Sequence, residues 1–526
     1  MALIGVAAGS INQVIALLFG TTLLEDLSQC NSNAKTSPYF LKTTIPMAKI
    51  DSSKIINSIL WLSSGFGVTK GIRFIAQIFL VRLLTPEQFG IWGMVLVVTQ
   101  LTALFKDTAI AGVLVQRGLK NKTLVNTVYS LGINVSIVLF LLQIGLGYGA
   151  ARFFQEPLVF SLTLCASFSL LISAGAGCHG AVLQRKMRFR EVAIASACSN
   201  AVRFGGALLL AALGYGVWSF AIAKLGSSLV KTILRVRFSG YEFQYHPIPN
   251  RESLKQVGGF INSLVGINLA VYVNTNGDNL LIGKLLGAHA LGFYSLAYQL
   301  AMLPMFAFAE MNRINFSVLS QKNNADQQRY LGKLLELCAI TSAPFYGLAF
   351  VVAPWLIPLV YGPSWQPVVK LFQIILIFAY ARGFMSILGT ALNALDHPDV
   401  NAAINWLLIP LSLPAFYFSI QLGGLQGIAL TTALIMGLGA SLWFWLATSR
   451  VTGWPLWRLV QPVVLPTMAT ILMVAMAMAL PLANSTAKYM VQPLVIVLGY
   501  ITLVSIISRG QIPQMLLNLS KQTLKA

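Results

Sequence analysis

From residue 55 to residue 508 the sequence is a regular succession of apolar runs separated by short polar links. A bilayer core is crossed by about 20 apolar helical residues, and these runs have that length. They lie near 55–81, 91–114, 124–149, 158–183, 191–213, 215–236, 257–283, 291–318, 331–353, 367–393, 400–421, 425–448, 459–481 and 490–508. The expected fold is an all-α polytopic membrane protein with about fourteen transmembrane helices. Turn residues mark several links: Thr85-Pro86-Glu87, Gly214-Tyr215-Gly216, Tyr361-Gly362-Pro363 and Gly423-Gly424. Only 10 % of the residues are charged, against roughly a quarter in soluble chains. An ordinary soluble enzyme is thereby excluded, and so is a disordered chain, which needs low hydrophobicity.

The chain carries 36 Lys and Arg against 15 Asp and Glu, a net +21. In a soluble protein that balance suggests nucleic acid. Here the cations alternate by link. With the N-terminus in the cytoplasm, 24 of them fall on cytoplasmic segments, 5 on the opposite face (Arg82, Arg152, Lys284, Lys370, Lys488) and 7 inside spans. The bias fixes an expected topology with both termini cytoplasmic. It also accounts for most of the charge, so no nucleic-acid partner is expected.

Residues 1–53 differ from the rest. Met1–Leu24 is weakly apolar and lacks the basic start of a signal peptide. The stretch reads as an N-terminal extension; the alternative is translation from Met47, whose MAKIDSSK leads straight into the first span. Cys30, Cys165, Cys178, Cys198 and Cys338 form no CxxC, and four of them lie in apolar runs as small buried hydrophobes. The four histidines are scattered. No metal site, catalytic residue or cofactor is expected, and no GxxxxGK[ST] loop for ATP is present.

Two stretches match at an offset of 202 residues: Arg82-Leu83-Leu84-Thr85-Pro86-Glu87-Gln88-Phe89-Gly90-Ile91-Trp92 and Lys284-Leu285-Leu286-Gly287-Ala288-His289-Ala290-Leu291-Gly292-Phe293-Tyr294. Six spans separate them, so both copies enter the membrane in the same direction. That predicts two parallel-repeat six-helix lobes. The expected division is an N-terminal extension 1–53, an N-lobe 54–237, a cytoplasmic linker 238–256, a C-lobe 257–448, and 449–526 with spans 13 and 14 and the cytoplasmic tail.

An ionisable residue in mid-span is costly and marks a candidate site. The cations are Lys70, Arg73, Lys106, Arg203, Lys224, Arg313 and Arg382; the clear acids are Asp107, Asp278, Glu310 and Glu336. The first half is net cationic. Lys70, Arg73 and Gln77 share one face of the first span. They read either as an anion site for a phosphate or pyrophosphate, or as cations that snorkel or pair with Asp107. Lys106 points away from the face of Gln100 and Asp107, toward Thr99 and Thr102. Arg203, Lys224 and Arg382 line a cavity or pair across helices. In span seven Asn274 and Asp278 lie one turn apart in a polar patch with Thr275, Asn276 and Asn279. Asp278 is a candidate proton carrier or sodium ligand, against a reading of the patch as interhelical glue. Glu310 and Arg313 on span eight share a face and either neutralise each other or join these sites.

Several stretches resemble the bacterial polysaccharide flippases of the multidrug/oligosaccharidyl-lipid/polysaccharide exporter superfamily, above all the repeat-unit flippases of O-antigen, colanic and exopolysaccharide loci. They are Leu83-Leu84-Thr85-Pro86-Glu87-Gln88-Phe89-Gly90, Ala111-Gly112-Val113-Leu114-Val115-Gln116-Arg117 and Leu183-Gln184-Arg185-Lys186-Met187-Arg188-Phe189-Arg190, followed by Gly214-Tyr215-Gly216-Val217-Trp218, Asp278 to Gly287, and Leu392-Asn393-Ala394-Leu395-Asp396-His397-Pro398-Asp399. Together they run from about residue 54 to 400. The resemblance implies a V-shaped pair of lobes around a central cavity, working by alternating access in the inner membrane. It implies undecaprenyl-pyrophosphate-linked oligosaccharide as substrate, moved from the cytoplasmic to the periplasmic leaflet, with a proton or sodium gradient as drive. A polysaccharide polymerase and a chain-length regulator are the implied partners beside membrane lipid. In related peptidoglycan-precursor flippases, cations of the first and eighth spans face the cavity; Lys70, Arg73 and Arg313 occupy comparable positions. The expected substrate set is Lys70, Arg73, Gln77, Lys106, Arg203 and Arg313; the expected ion-coupling set is Asp107, Asn274, Asp278 and Glu310. The competing functions are a small-molecule or drug exporter of the same architecture and a membrane-embedded polysaccharide polymerase.

Overall fold

The computed structural model describes residues 71–107, 121–247, 269–305, 324–480 and 485–507, with isolated positions (114, 119, 308, 312, 315, 316 and 318–320) between them. Lys70, Glu310, Arg313 and the side chain of Asp107 lie outside the described residues, as does residue 1–53. The described chain is helical, with no strand among the described residues. In order, the helices are α1 (71–83), α2 (Pro86–Asp107), α3 (Lys122–Phe154), α4 (Leu158–Ile172), α5 (Ala176–Arg185), α6 (Phe189–Ala212), α7 (Trp218–Ser239), α8 (269–285) and α9 (Gly287–Ala301). They continue with α10 (Asn324–Tyr361), α11 (Val368–Ala394), α12 (Pro398–Thr431), a π-helix (Thr432–Gly439), α13 (Ala440–Thr452), α14 (Leu456–Ala479) and α15 (Ser485–Ile507).

Among the described residues seven helices are long and apolar enough to cross a bilayer, and the bent pair α4–α5 makes an eighth. One of the seven runs from Pro398 to Thr452 and folds back on itself at Gly424. There φ is +54° and ψ −134°, a conformation that glycine alone adopts without strain. The packing inside this corner is close: a Cβ on Gly427 would sit 2.1 Å from the Ser419 carbonyl oxygen. Large apolar side chains such as Val138, Leu141, Leu209, Leu407, Phe418, Leu472 and Leu498 stand exposed on the outer helix faces. Apolar surface of this extent needs lipid rather than water around it. The chain is a multi-pass membrane protein.

One expected span differs from a plain helix. The run 158–183 breaks between Ile172 and Ala176, and α5 departs from α4 by 46°. The break exposes the last carbonyls of α4, which then need donors.

The repeat is visible in three dimensions. Helices α2 and α9, which follow the two matching stretches, pack against each other at their N-terminal ends. A Cβ on Gly90 would lie 1.7 Å from the Ala288 oxygen, and one on Gly292 would lie 1.9 Å from the Pro86 oxygen. Positions 86 and 288, and 90 and 292, are pairs at the same 202-residue offset, so the contact is reciprocal. Only glycine lets the two backbones come so close. A second correspondence joins the α5–α6 and α11–α12 turns. Arg188 N donates to Leu183 O and His397 N to Leu392 O, both at 2.9 Å, and Met187 and Asp396 both take positive φ.

Other contacts between the lobes gather at that same end. Arg82 donates to the carbonyls of Leu359 and Val360 at 2.5 and 2.6 Å, capping the C-terminus of α10. The Trp365 indole donates to Val81 O at 3.1 Å, and its ring meets Phe89 and Phe293 edge-on. Lys284 lies over the ring of Phe153. Val81, Leu84, Phe89 and Val95 of the first half share one buried core with Leu291, Tyr294, Trp365 and Phe372 of the second. Deeper in the bundle the Tyr272 hydroxyl donates to Val97 O.

The segment after α7 does not leave the bundle at once. Residues 241–247 run extended along α3, where Asn126, Ser130 and Asn134 form a polar ladder. Asn126 exchanges hydrogen bonds with Gln244, Ser130 accepts from His246 N, and Asn134 bonds Tyr245 and Pro247 O. Helices α14 and α15 are packed onto α10 rather than hung beside it. A Cβ on Gly347 would touch Thr470 at 2.5 Å, and the Tyr500 hydroxyl donates to Ile340 O at 3.0 Å.

Candidate functional site

Between the lobes, below the glycine contact, lies a cavity of about 290 Å³. Helix α1 contributes Arg73 and Gln77, one turn apart; α2 contributes Trp92, Leu96 and Gln100; α6 contributes Arg203 and Phe204; α9 contributes Ser295 and Gln299. Phe220 of α7 stacks on Trp92, with ring centroids 5.3 Å apart and an interplanar angle of 15°. Among the described residues the lining holds two guanidiniums and no carboxylate. Arg203 is exposed to this space, and it has no ion-pair partner among the described residues.

These two arginines belong to a longer series of positive charges. Arg73 acts electrostatically on Arg203, Arg203 on Lys224, and Lys224 is also within range of Lys106. Four cations from α1, α2, α6 and α7 thus share one region of the N-lobe. Like charges held together in a low-dielectric bundle repel strongly. A bound anion would ease this repulsion, and guanidinium is the cation best shaped to grip phosphate oxygens two at a time.

The expected substrate residues separate in the structure. Arg73, Gln77 and Arg203 come together in the cavity wall. Lys106 does not line that cavity. Its ammonium donates to Leu170 O at 3.0 Å and to Ser173 Oγ at 2.5 Å, at the broken C-terminal end of α4. A cation there meets both the open carbonyls and the negative end of the helix dipole. Lys106→Met therefore lowers the unfolding midpoint of the purified protein, by the equivalent of about 1–3 kcal/mol. It leaves the affinity for a diphosphate lipid within about two-fold of wild type, because Lys106 is not part of the cavity lining. Thermal unfolding and lipid binding measured on the same preparation check both halves.

Asn274 and Asp278 lie in the C-lobe, away from the cavity lining, and both are buried. Asp278 Oδ2 accepts from the Tyr294 hydroxyl at 2.7 Å and Oδ1 from Asn279 N at 2.7 Å. The Tyr294 oxygen is also 3.0 Å from Thr432 Oγ1. Thr432 opens the π-helix, and such local widening of a helix concentrates at functional positions. Asn274 donates to Asn405 O at 2.6 Å, whereas its own Oδ1 is buried without a donor. The carboxylate is thus wired across α8, α9 and the π-helix.

Sequence reasoning did not find Trp92, Phe204, Phe220, Ser295 and Gln299 in the cavity, nor Tyr294 and Thr432 beside Asp278. Aromatics are 11 % of this chain, so no single ring stands out. Ser295 and Gln299 did carry a signal. They are one turn apart on an otherwise apolar helix, the same pattern that singles out Arg73 and Gln77.

The family described as "Polysaccharide biosynthesis protein" matches residues 79–370, more than half of the chain. The chain belongs to this polysaccharide biosynthesis family. Relatives agree over a longer stretch. The lipopolysaccharide biosynthesis protein WzxC of Escherichia coli K12 is 23 % identical over 411 residues, covering 76 % of this chain and 82 % of that protein. The teichuronic acid biosynthesis protein TuaB of Bacillus subtilis is 25 % identical over 352 residues, covering 65 % and 71 %. Among solved structures, the lipid II flippase MurJ in an inward closed conformation superposes with a TM-score of 0.72 at 15 % identity, over 86 % of this chain and all of that one. A multidrug MATE-family transporter in an inward-facing conformation reaches 0.56 at 16 % identity, over 73 % and 95 %. These two likenesses show that the chain shares the fold of those two proteins. This member of the polysaccharide biosynthesis family bears two arginines in its cavity lining and, among the described residues, no carboxylate there.

Proposed function

We propose that this protein is a flippase for undecaprenyl-pyrophosphate-linked oligosaccharide repeat units, carrying them from the cytoplasmic to the periplasmic leaflet of the inner membrane. The observation that carries the reading is the pair Arg73 and Arg203, set side by side in a cavity between the lobes. A diphosphate cannot enter hydrocarbon without counter-charge, because desolvating it costs tens of kcal/mol on Born estimates. The two guanidiniums supply that charge at depth, and the sugars stay in the polar cavity. A cationic drug needs acids, and none lines the cavity among the described residues. The cation-poor end that holds Arg82, Arg152 and Lys284 is taken as periplasmic, with both termini in the cytoplasm. The lobes meet at that end, so the conformation is the one that receives substrate from the cytoplasm. Relatives from lipopolysaccharide and teichuronic acid synthesis support a glycan cargo.

Asp278 is assigned the coupling ion, proton or sodium, because it is a buried carboxylate whose hydrogen bonds join three helices. Reconstituted in liposomes, the protein translocates an undecaprenyl-diphosphate oligosaccharide, and an imposed ion gradient accelerates it. Asp278→Asn abolishes the acceleration and leaves substrate binding intact. Translocation equal to that of protein-free liposomes contradicts the flippase reading. Acceleration that survives Asp278→Asn contradicts the coupling role alone.

A further inference from the structure

The rest of the cavity lining beside Arg73 and Arg203 is, among the described residues, uncharged. Gln77, Gln100, Ser295 and Gln299 belong to it. Gln77 Nε2 is buried without an acceptor. A buried polar group left in that state costs about 1–3 kcal/mol, so the site is built for a ligand that supplies the missing partners. The ligand's chemistry follows from the donors. Each carboxamide offers a donor and an acceptor side by side, which matches adjacent hydroxyls. Neither a second anion nor a cation is favoured by uncharged amides. Beside them the stacked Trp92 and Phe220 and the ring of Phe204 form an apolar wall, as the C–H face of a pyranose requires.

We infer that this wall is a sugar subsite for the residue next to the diphosphate, hydrogen-bonded by Gln77 and Gln100 from one lobe and by Ser295 and Gln299 from the other. The inference rests on the reading of Arg73 and Arg203 as phosphate-facing. It goes further by assigning substrate selection to four neutral side chains. It also makes the sugar a bridge between α1–α2 and α9. Bare diphosphate lipid engages one lobe only, whereas the glycosylated lipid engages both. A pocket with a few placed polar groups on apolar walls is the usual form of a selective small-molecule site.

The test uses the full chain in lipid nanodiscs and three probes: undecaprenol, undecaprenyl diphosphate, and undecaprenyl diphosphate bearing one neutral hexose. The hexose lipid binds about ten-fold tighter than the bare diphosphate lipid. Gln299→Leu removes most of that ratio and leaves the affinity for the bare lipid within about two-fold, whereas Arg203→Ala weakens both lipids. Gln299→Asn, which keeps the amide one carbon shorter, falls between wild type and the leucine variant. Equal affinity of the wild type for the two diphosphate lipids overturns the sugar subsite, and so does an equal loss of both on Gln299→Leu. Bare diphosphate lipid binding no tighter than undecaprenol overturns the phosphate reading beneath it.

Discussion

Arg203→Ala reduces the export of polymer in living cells to a few per cent of wild type while the protein accumulates normally. Arg203 faces the cavity from the middle of α6 and has no ion-pair partner among the described residues. Removing it therefore strands no acid among the described residues. What is lost is the charge-assisted grip on a phosphate, about 1.5–3 kcal/mol, which is roughly a 10- to 150-fold loss. Arg203→Lys recovers part of the activity, because an ammonium restores the charge and not the two-pronged geometry. Arg73→Ala has an effect of the same size, since Arg73 lines the same wall within electrostatic range. The double variant is less than the product of the two, as expected for groups that hold one ligand. Normal export by Arg203→Ala removes the anion site from the account.

Gly90→Val produces the second large effect, by a different route. A single Cβ at position 90 already falls 1.7 Å from the Ala288 carbonyl oxygen, and that atom is backbone. A backbone carbonyl at the start of α9 cannot swing aside like a flexible side chain, so the lobes must separate at this end. Forced overpacking of this kind costs about 1–3 kcal/mol or more. It falls entirely on the conformation in which α2 and α9 touch, which shifts the balance toward the state open at this end. Export drops more than about ten-fold. In a background where the native cysteines are serines, a thiol at Ser295→Cys becomes reactive to an impermeant reagent applied from the periplasm. Gly292→Val behaves alike, because Gly292 meets the Pro86 carbonyl in the reciprocal contact. Gly145→Ala, which meets nothing within 4 Å, is the silent control. Unchanged labelling of Ser295→Cys in Gly90→Val contradicts the view that this contact closes the cavity.

The course of the chain was readable because a membrane imposes a length on each apolar run. Each expected span has a described helix within it, and the repeat at 202 residues implied two like lobes; that its two copies touch at Gly90 and Gly292 was seen only in the structure. Arg73, Gln77, Arg203 and Asp278 were readable for a related reason: a polar side chain in an apolar run needs a partner or a cavity. What the runs concealed was where helices break. Ser173-Ala174-Gly175 sits inside a continuous apolar stretch, and nothing in its composition told that α4 would end there and draw Lys106 to its carbonyls. The π-helix at Thr432 was hidden likewise. Its first residue meets the Tyr294 hydroxyl, 138 residues away in sequence. The aromatic wall was illegible because a lipid-facing ring and a cavity-facing ring look the same in one dimension. Ser295 and Gln299 are the residues that closer attention to polar spacing on an apolar helix would have found.

The central claim is that lipid-linked glycan crosses the membrane through the cavity bearing Arg73 and Arg203. The most direct measurement is the sidedness of the undecaprenyl-diphosphate-oligosaccharide pool in the native host, after deletion of the gene and after its return as wild type or as Arg203→Ala. The account predicts complete repeat units trapped on the cytoplasmic leaflet in the deletion strain, released by the wild-type gene and still trapped with Arg203→Ala. Repeat units that reach the periplasmic leaflet in the deletion strain, yet remain unpolymerised, contradict it.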